Sequence, residues 1–251
     1  MDLNKIAADC NSTEPLYITQ MDTQNVKVSI TRIVPDKGQH CYLILDKTIF
    51  HPKGGGQPSD KGIVRSPEFE ANVKKAIAHH DVIIHWVKIV RGKPNIGLVE
   101  CELDWPYRHM IMRKHSAAHL LDHCLAKTTK RIVRTTDSWL GDDSYVGYDG
   151  LLPGSSELSQ IEALANEIIR NGAEITISHV SRQEASTLAD APNFERLPDL
   201  NTIRIVKIEG CSPIPCGGTH VSNVSQIGQL SLLGTVRTSK TGFRIYFRLP
   251  N

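Results

Sequence analysis

Alternating apolar and polar positions mark most of the first hundred residues. Such runs occupy residues 26–33, 41–45 and 82–87, and turns that contain Gly, Pro, Asp and Asn separate them. A period of two is typical of strands that bury one face, and no long helical period interrupts the series. Many short strands with frequent turns predict a small antiparallel β-barrel in this part of the chain.

The pattern changes to a helical period close to Asp104. A first helix is predicted from Arg108 to about Lys127 because apolar residues recur there every three to four positions. The apolar positions of this helix are Met112, Ala117, Leu120, Leu121 and Cys124.

A second helix is predicted where an apolar stripe runs through residues 158–169. Ser159 and Glu162 have the spacing of a capping box, and Gly172 stands where a C-terminal glycine cap belongs. Strands are predicted at 174–179, 202–208 and 243–249. The chain is therefore predicted to be α+β, with a β-barrel module in residues 1–103 and an α+β core with an antiparallel sheet in residues 104–251.

Charge is unevenly distributed along the chain, although the formal net charge is only +2. Residues 105–136 and 201–251 are basic, whereas residues 137–200 are strongly acidic. Two basic segments in one fold suit a polyanion such as nucleic acid, although solvated faces explain the same pattern. The six cysteines show no framework spacing, which favours reduced thiols in a cytoplasmic protein.

Two short motifs have the spacing of metal ligands. His115 and His119 are four positions apart in a predicted helix, so both side chains lie on one face. Cys216 and His220 flank a Gly-Gly-Thr turn near the end of the chain. Each pair alone is weak evidence, but three imidazoles and one thiolate together match the tetrahedral preference of Zn²⁺.

A run of three glycines lies in the stretch "FHPKGGGQPSDKG", residues 50–62. Such a run between strands indicates close approach of the backbone or unusual dihedral angles, and a wide hairpin is the alternative. It lacks the Gly-Lys-Ser/Thr ending of a phosphate loop. Gln57 and Asp60 are the candidates for binding a ligand in this stretch.

The order of motifs resembles the AlaX family, the free-standing relatives of the alanyl-tRNA synthetase editing domain. The resemblance covers most of the chain and looks like the medium-length AlaX-M type. It is carried by Gly-Gly-Gly-Gln-Pro-x-Asp-x-Gly (54–62), Asp-Trp-x-x-Arg (104–108), His-Ser-Ala-Ala-His-Leu-Leu (115–121), Cys-Gly-Gly-Thr-His-Val (216–221) and Gly-Phe-Arg-Ile (242–245).

This resemblance implies an activity and a ligand set. The activity is hydrolysis of the ester that links serine, or glycine, to tRNA(Ala), in trans and with Ala-tRNA(Ala) spared. The implied Zn²⁺ ligands are His115, His119, Cys216 and His220. The sequence departs from the synthetase domain at 135–149, where a Gln and a Gly-Ser are missing, so no catalytic residue is assigned beyond the zinc site.

Candidate contacts with the substrate follow from chemistry. A pocket that rejects alanine needs polar groups for the serine hydroxyl, and the candidates are Thr31, Gln57 and Thr219. Asp60 is a further candidate contact with the substrate. The expected partner is mischarged tRNA(Ala), with no membrane and no obligatory protein partner. The candidate phosphate contacts are Arg108, Arg113, Lys114, Lys127, Lys130, Arg131, Arg134 and Arg244.

Two other functions remain open from the sequence. One is a zinc hydrolase with a different ester or peptide substrate, although the helix lacks the Glu of a His-Glu-x-x-His peptidase. The other is a structural-zinc module that binds RNA without deacylase activity, which four protein ligands would favour.

Overall fold

A computed structural model of the chain describes residues 2–132, 134–188 and 201–250. The chain divides into two compact units, Met1–Gly54 with Pro58–His109, and Gly55–Gln57 with Met110–Asn251. The boundary between residues 103 and 104 stays a prediction. Part of the acidic segment, residues 189–200, lies outside the described residues.

The first unit contains a closed antiparallel barrel of six strands in the order β2-β3-β7-β6-β5-β8. These strands are β2 (Asn25–Pro35), β3 (His40–Leu45), β5 (Gly62–Ser66), β6 (Phe69–His79), β7 (Val82–Gly92) and β8 (Gly97–Leu103). The unit also contains a helix α1 (Leu3–Ala7) and a short parallel pair, β1 (Glu14–Pro15) and β4 (Lys47–Thr48). The predicted barrel and the α+β fold are confirmed.

Strand β3 shows why its sequence is apolar throughout. Leu43 and Leu45 belong to the barrel core, whereas Tyr42 and Ile44 belong to a second apolar cluster on the other face of the strand. Ile6 of α1 is part of that second cluster. Because both faces are covered, the strand has lost the alternation of a half-exposed one.

A buried ion pair links the loop between β4 and β5 to the start of the long helix α2 (Trp105–Thr129). Arg108 Nε lies 2.9 and 3.0 Å from the two carboxylate oxygens of Asp60, and both side chains are about 1% exposed. The guanidinium also donates to the carbonyl oxygens of Met21 and Ile49, and the His51 N–H donates to Asp60. Arg108 was predicted to contact phosphate and Asp60 to contact substrate; in the structure each group is enclosed and bonded to the other.

Helix α2 starts three residues earlier than predicted. Asp104 acts as its N-cap, since its carboxylate accepts the Tyr107 N–H at 3.2 Å. Pro106 is tolerated because the first turn of a helix needs no N–H donor. The predicted apolar face is confirmed: Met112, Ala117, Leu120, Leu121 and Cys124 are all buried.

Among its described residues, the second unit has two further sheets and two further α-helices. A four-stranded antiparallel sheet has the order β14-β15-β10-β9, and a three-stranded sheet has the order β11-β12-β13. The strands are β9 (Arg134–Trp139), β10 (Tyr145–Asp149), β11 (Ile175–Ser181), β12 (Thr202–Ile208), β13 (Ile214–Pro215), β14 (Ser231–Arg237) and β15 (Gly242–Arg248); the helices are α3 (Ser155–Asn171) and α4 (Arg182–Thr187). No helix among the described residues is long and apolar enough to cross a membrane.

The start of α3 corrects one prediction. The N-cap is Gly154, whose N–H donates to Glu157 at 2.8 Å, so Ser159 and Glu162 lie inside the helix and form no capping box. Gly172 does end the helix, with a φ of 72° that suits glycine.

Candidate metal centre

Four side chains from distant parts of the sequence converge in the second unit. His115 and His119 come from adjacent turns of α2, whereas Cys216 and His220 come from the turn after β13. Their four candidate ligand atoms all lie within 4.8 Å of one another. The three histidines are buried, which leaves this polar group surrounded by protein.

The spacing fits a zinc tetrahedron. The sulfur of Cys216 lies 3.4 Å from Nε2 of His115 and 3.4 Å from Nε2 of His220. Zn–S and Zn–N bonds at tetrahedral angles place sulfur and nitrogen roughly 3.5 Å apart. The group could therefore bind a metal, and its donor set suits zinc.

The orientation of His115 follows from a single backbone donor. The Thr219 N–H donates to Gln57 at 3.0 Å, so the Gln57 atom at that position is the acceptor Oε1. The same oxygen lies 3.0 Å from Nδ1 of His115, which must then carry the proton. Nε2 of His115 is left with its lone pair on the side of Cys216, as a metal ligand requires.

Ser116 supports His220 in a similar way. Its hydroxyl oxygen accepts the Val221 N–H at 3.2 Å and lies 3.2 Å from Nδ1 of His220. A hydroxyl oxygen can accept a second hydrogen bond, so Nδ1–H of His220 can donate to it. This arrangement leaves Nε2 of His220 facing the sulfur of Cys216.

Burial controls the protonation of two of the four groups. It lowers the pKa of His119 to about 4, and the charge of Arg204 acts in the same direction. His119 is consequently neutral at pH 7 and able to bind a metal. Burial raises the pKa of the Cys216 thiol, although the Gly218 N–H and Arg204 oppose this, so metal binding would displace a proton.

Gly218 gives the ring of His115 the space that it occupies. A Cβ at Gly218 would lie 2.1 Å from Cε1 of His115 and 2.8 Å from Oε1 of Gln57. The Gly218 N–H also points to the sulfur of Cys216 at 3.4 Å. A Cβ at Gly217 would meet nothing within 4 Å, so only the second glycine is required by packing.

The three other predicted substrate contacts lie in different units of the chain. Gln57 and Thr219 are fully buried, and Nε2 of Gln57 donates to the Thr219 hydroxyl at 3.0 Å. Oε1 of Gln57 also accepts the Thr219 N–H and lies 3.0 Å from Nδ1 of His115, so both residues are bonded to the cluster or to each other. Thr31 lies in the barrel unit, where its hydroxyl donates to the Ile44 carbonyl oxygen at 3.1 Å.

The predicted phosphate contacts differ in accessibility. Arg113 donates to the carbonyl oxygens of Ile227 and Pro250, and Lys114 donates to that of Gly141 at 2.6 Å. Arg244 pairs with Asp137 at 2.6 Å. The exposed members are Lys127, Lys130, Arg131 and Arg134, at the end of α2 and the start of β9.

The sequence analysis missed Ser116 and Arg204. Ser116 directly follows a predicted ligand, but its place one position along the helix gave no sign of a bond to His220. Arg204 lies in β12, and its guanidinium donates to the Cys216 carbonyl oxygen at 2.6 Å. No short motif links a strand arginine to a loop twelve residues later.

Two family models match the chain. The one described as tRNA synthetases class II (A) matches residues 11–107. The one described as threonyl and alanyl tRNA synthetase second additional domain matches residues 203–246, which include Cys216 and His220.

Several curated proteins are similar over most of the chain. The alanyl-tRNA editing protein AlaX-M of Methanosarcina barkeri is 30% identical over 250 residues, covering 94% of this chain and 99% of that protein. AlaX-L of Pyrococcus horikoshii is 31% identical, covering 92% of this chain and 55% of that protein. The alanine–tRNA ligase of Fusobacterium nucleatum is 32% identical, covering 76% of this chain and 22% of that protein. The match to AlaX-M along nearly the whole of both chains shows that this chain belongs to the AlaX-M family of alanyl-tRNA editing proteins.

Proposed function

We propose that this protein is a zinc-dependent hydrolase that removes serine, or glycine, from mischarged tRNA(Ala) and spares Ala-tRNA(Ala). The observation that carries the proposal is the convergence of His115, His119, Cys216 and His220 in a chain of the AlaX-M family. The substrate would be tRNA that has already left the synthetase, so the editing would occur in trans.

The residues of this chain would divide the work between holding Zn²⁺ and fixing its ligands. His115, His119, Cys216 and His220 would hold the ion, and Gln57 and Ser116 would set the rings of His115 and His220. When bound, Zn²⁺ would supply a Lewis acid that orients or polarises the ester carbonyl. An aminoacyl ester is an activated acyl group, so modest assistance to the attacking water suffices.

The tRNA would be bound by the exposed basic residues at the end of α2. Lys127, Lys130, Arg131 and Arg134 are exposed and close in sequence. Phosphate contacts from such residues give an affinity that falls steeply with salt. These four residues replace the eight of the sequence prediction as the proposed phosphate contacts.

The test is a deacylation time course with Ser-tRNA(Ala), Gly-tRNA(Ala) and Ala-tRNA(Ala), with and without a chelator. Release of serine or glycine that is lost with chelator and recovered with Zn²⁺, while Ala-tRNA(Ala) persists, is the expected result. Equal hydrolysis of all three would leave an esterase without discrimination. Chelator-resistant hydrolysis would remove the role of zinc.

One feature favours a second function, a structural-zinc module that binds RNA. Four protein ligands complete a tetrahedron, whereas catalytic zinc sites usually keep one position open. His115→Ala distinguishes the two functions. If the variant stays folded and loses deacylation, the hydrolase is supported. If the second unit of the variant unfolds, and wild type binds tRNA without hydrolysing it, the RNA-binding module is supported.

A further inference from the structure

The four-stranded sheet of the second unit has an accessible face that the metal centre does not use. On β15, the side chains of Phe243, Ile245 and Phe247 are buried, whereas the alternate residues Arg244 and Tyr246 retain exposed surface. Successive side chains of a strand point to opposite faces of the sheet. The sheet therefore buries one face in the core and leaves the other open to a partner.

Three aromatic residues form a row across this accessible face. Tyr145 of β10 is paired in register with Trp139 of β9 on one side and with Tyr246 of β15 on the other. The ring centroids of Tyr145 and Tyr246 lie 5.4 Å apart, and all three side chains are partly exposed. On β14 the row ends at Gly234, which has no side chain to cover Tyr246. Trp139, Tyr145 and Tyr246 are called the aromatic row below.

An arginine lies on each side of the aromatic row. Arg244 and Arg248 are two positions before and two positions after Tyr246, so they point to the same face. Cζ of Arg244 lies 4.2 Å from the centre of the Tyr145 ring, and its Nη2 donates to Asp137 at 2.6 Å. Arg248 is exposed, and none of the ion pairs in the described part of the chain involves it.

The ring of Tyr145 and the guanidinium of Arg244 are held in place by Asp137. A Cβ at Gly147, the residue paired with Arg244, would lie 2.0 Å from Oδ1 of Asp137. Asp137 therefore occupies the space over β10 that a side chain at position 147 would fill. From there its Oδ2 accepts hydrogen bonds from the Tyr145 hydroxyl at 3.0 Å and from Arg244. Because both groups are already fixed, a ligand that stacks on them loses little affinity to side-chain ordering.

Strand β9 links this face to both parts of the proposed function. Its first residue, Arg134, is one of the exposed residues proposed to bind phosphate. Its last residue, Trp139, is followed by Leu140, whose N–H donates to the Gly56 carbonyl oxygen at 3.0 Å. Gly56 directly precedes Gln57, which orients a ligand of the metal centre. The strand thus spans about 17 Å from the basic residues to the loop that supports the metal centre.

We propose that the aromatic row stacks on the unpaired nucleotides at the 3′ end of the substrate tRNA, and that Arg248 contacts their phosphates. This inference rests on the proposed function, because it assigns part of tRNA binding to this face. Four-stranded antiparallel sheets that expose aromatic residues stack about two or three unpaired bases, and guanidinium planes stack on bases as well. The amino acid is esterified to the last unpaired nucleotide, so this stacking would present the ester to the metal centre.

The occupant must be unpaired RNA rather than the double-stranded stem. Within a stem, neighbouring base pairs cover both faces of each base, so no face is left for an aromatic ring. Unpaired bases expose their π-faces whatever their sequence, so the aromatic row binds them without reading the sequence. This division leaves the stem to the basic residues at the end of α2.

The test compares binding of deacylated tRNA(Ala) with binding of the same tRNA trimmed of its unpaired 3′ nucleotides. Wild type should bind the complete tRNA at least about tenfold more tightly, because stacking contributes a factor of about 5 to 150 per base. Tyr145→Ala and Tyr246→Ala should each weaken binding of the complete tRNA at least about fivefold and leave binding of the trimmed tRNA unchanged. Tyr145→Phe and Tyr246→Phe keep the rings, so these controls should stay within about threefold of wild type.

Two results would overturn the proposal. One is equal affinity of wild type for the two tRNAs, and the other is unchanged affinity of both alanine variants. Deacylated tRNA has no ester, so this outcome is independent of hydrolysis. If Ser-tRNA(Ala) is not hydrolysed but the complete tRNA is preferred, the proposed function fails and the stacking site stands.

The salt dependence of binding separates stacking from support of the arginines. Arg248→Gln should reduce the slope of log affinity against log salt by about one phosphate contact, whereas Tyr246→Ala should leave the slope unchanged. A slope that falls in Tyr246→Ala would mean that the ring only positions a charge, which contradicts the proposal.

Trp139 provides a measurement that applies even if the alanine variants unfold. Its emission is the difference between wild type and Trp139→Phe, and the complete tRNA but not the trimmed tRNA should quench it. Absence of quenching by the complete tRNA would refute stacking on the aromatic row. Sedimentation tests a second copy of the chain as the occupant: a wild-type dimer that dissociates in Tyr145→Ala, with tRNA binding unchanged, would also overturn the proposal.

Discussion

The two glycines of the Cys-Gly-Gly-Thr-His motif allow a matched test of the metal centre, because only one of them touches it. A Cβ added at Gly218 would lie 2.1 Å from Cε1 and 2.5 Å from Nδ1 of His115. Ordinary contact needs about 3.4 Å, so the ring or the loop must move by more than about 1 Å. Metal ligation tolerates about 0.2 Å, so the shift would remove His115 from the ligand set.

The expected result for Gly218→Ala is a loss of Zn²⁺ affinity of at least about 100-fold, which is about 2.7 kcal/mol. Gly217→Ala adds the same methyl group where nothing lies within 4 Å, and it should bind Zn²⁺ within about threefold of wild type. Competition with a chromogenic chelator measures both affinities. Melting in chelator checks that both variants fold. Equal affinities for the two variants, whether both high or both low, would refute the packing argument.

Three further predictions concern other parts of the protein. Gln57→Ala should weaken Zn²⁺ binding by about 10- to 100-fold in the same competition assay, because the proton of His115 Nδ1 loses its acceptor; an unchanged affinity contradicts this. Asp60→Ala should lower the free energy of unfolding by about 3–5 kcal/mol, because it leaves Arg108 charged and buried. The control Arg65→Ala removes a half-exposed ion pair and should lower it by at most about 1 kcal/mol. Urea unfolding measures both values. His85 is fully buried and its pKa is lowered to about 4, below the unfolded value of 6.5, so the unfolded state binds an extra proton between these pH values. The free energy of unfolding should therefore be highest above pH 6.5 and fall by about 3 kcal/mol as the pH drops towards 4. Urea unfolding in the presence of chelator measures this pH dependence, and His85→Gln should abolish the part that His85 causes.

Much of the fold could be predicted because its signals are local. The barrel strands 26–33, 41–45 and 82–87 lie within β2, β3 and β7, and the strand at 202–208 coincides with β12. Such strands can be recognised from a few consecutive residues, by their period-two alternation and the turn residues at their ends. Strands β9, β10 and β14 escaped prediction because residues 134–149 and 231–237 mix charged, small and apolar residues without a clear period.

The site was predictable only as far as spacing could show it. Two i, i+4 pairs of ligand residues are visible in the sequence, and the structure brings them together. The role of Arg108 could not be inferred, because an arginine in a basic segment has the same pattern whether it faces solvent or Asp60. Burial, not charge, decides between them, and burial of a polar residue depends on partners that are remote in sequence.

One glycine of the run 54–56 and one of the pair 217–218 both help to position Gln57. Gly56 has a φ of 81° and a Cβ there would lie 2.0 Å from the Ser138 hydroxyl, so the loop can approach β9 only without a side chain. The Leu140 N–H then donates to the Gly56 carbonyl oxygen at 3.0 Å, which fixes the residue that follows, Gln57. Gln57 in turn needs the space left by Gly218 to reach His115. Gly56 and Gly218 thus both act through Gln57. The conformational entropy that these glycines lose on folding is therefore offset by the correct orientation of one metal ligand, His115.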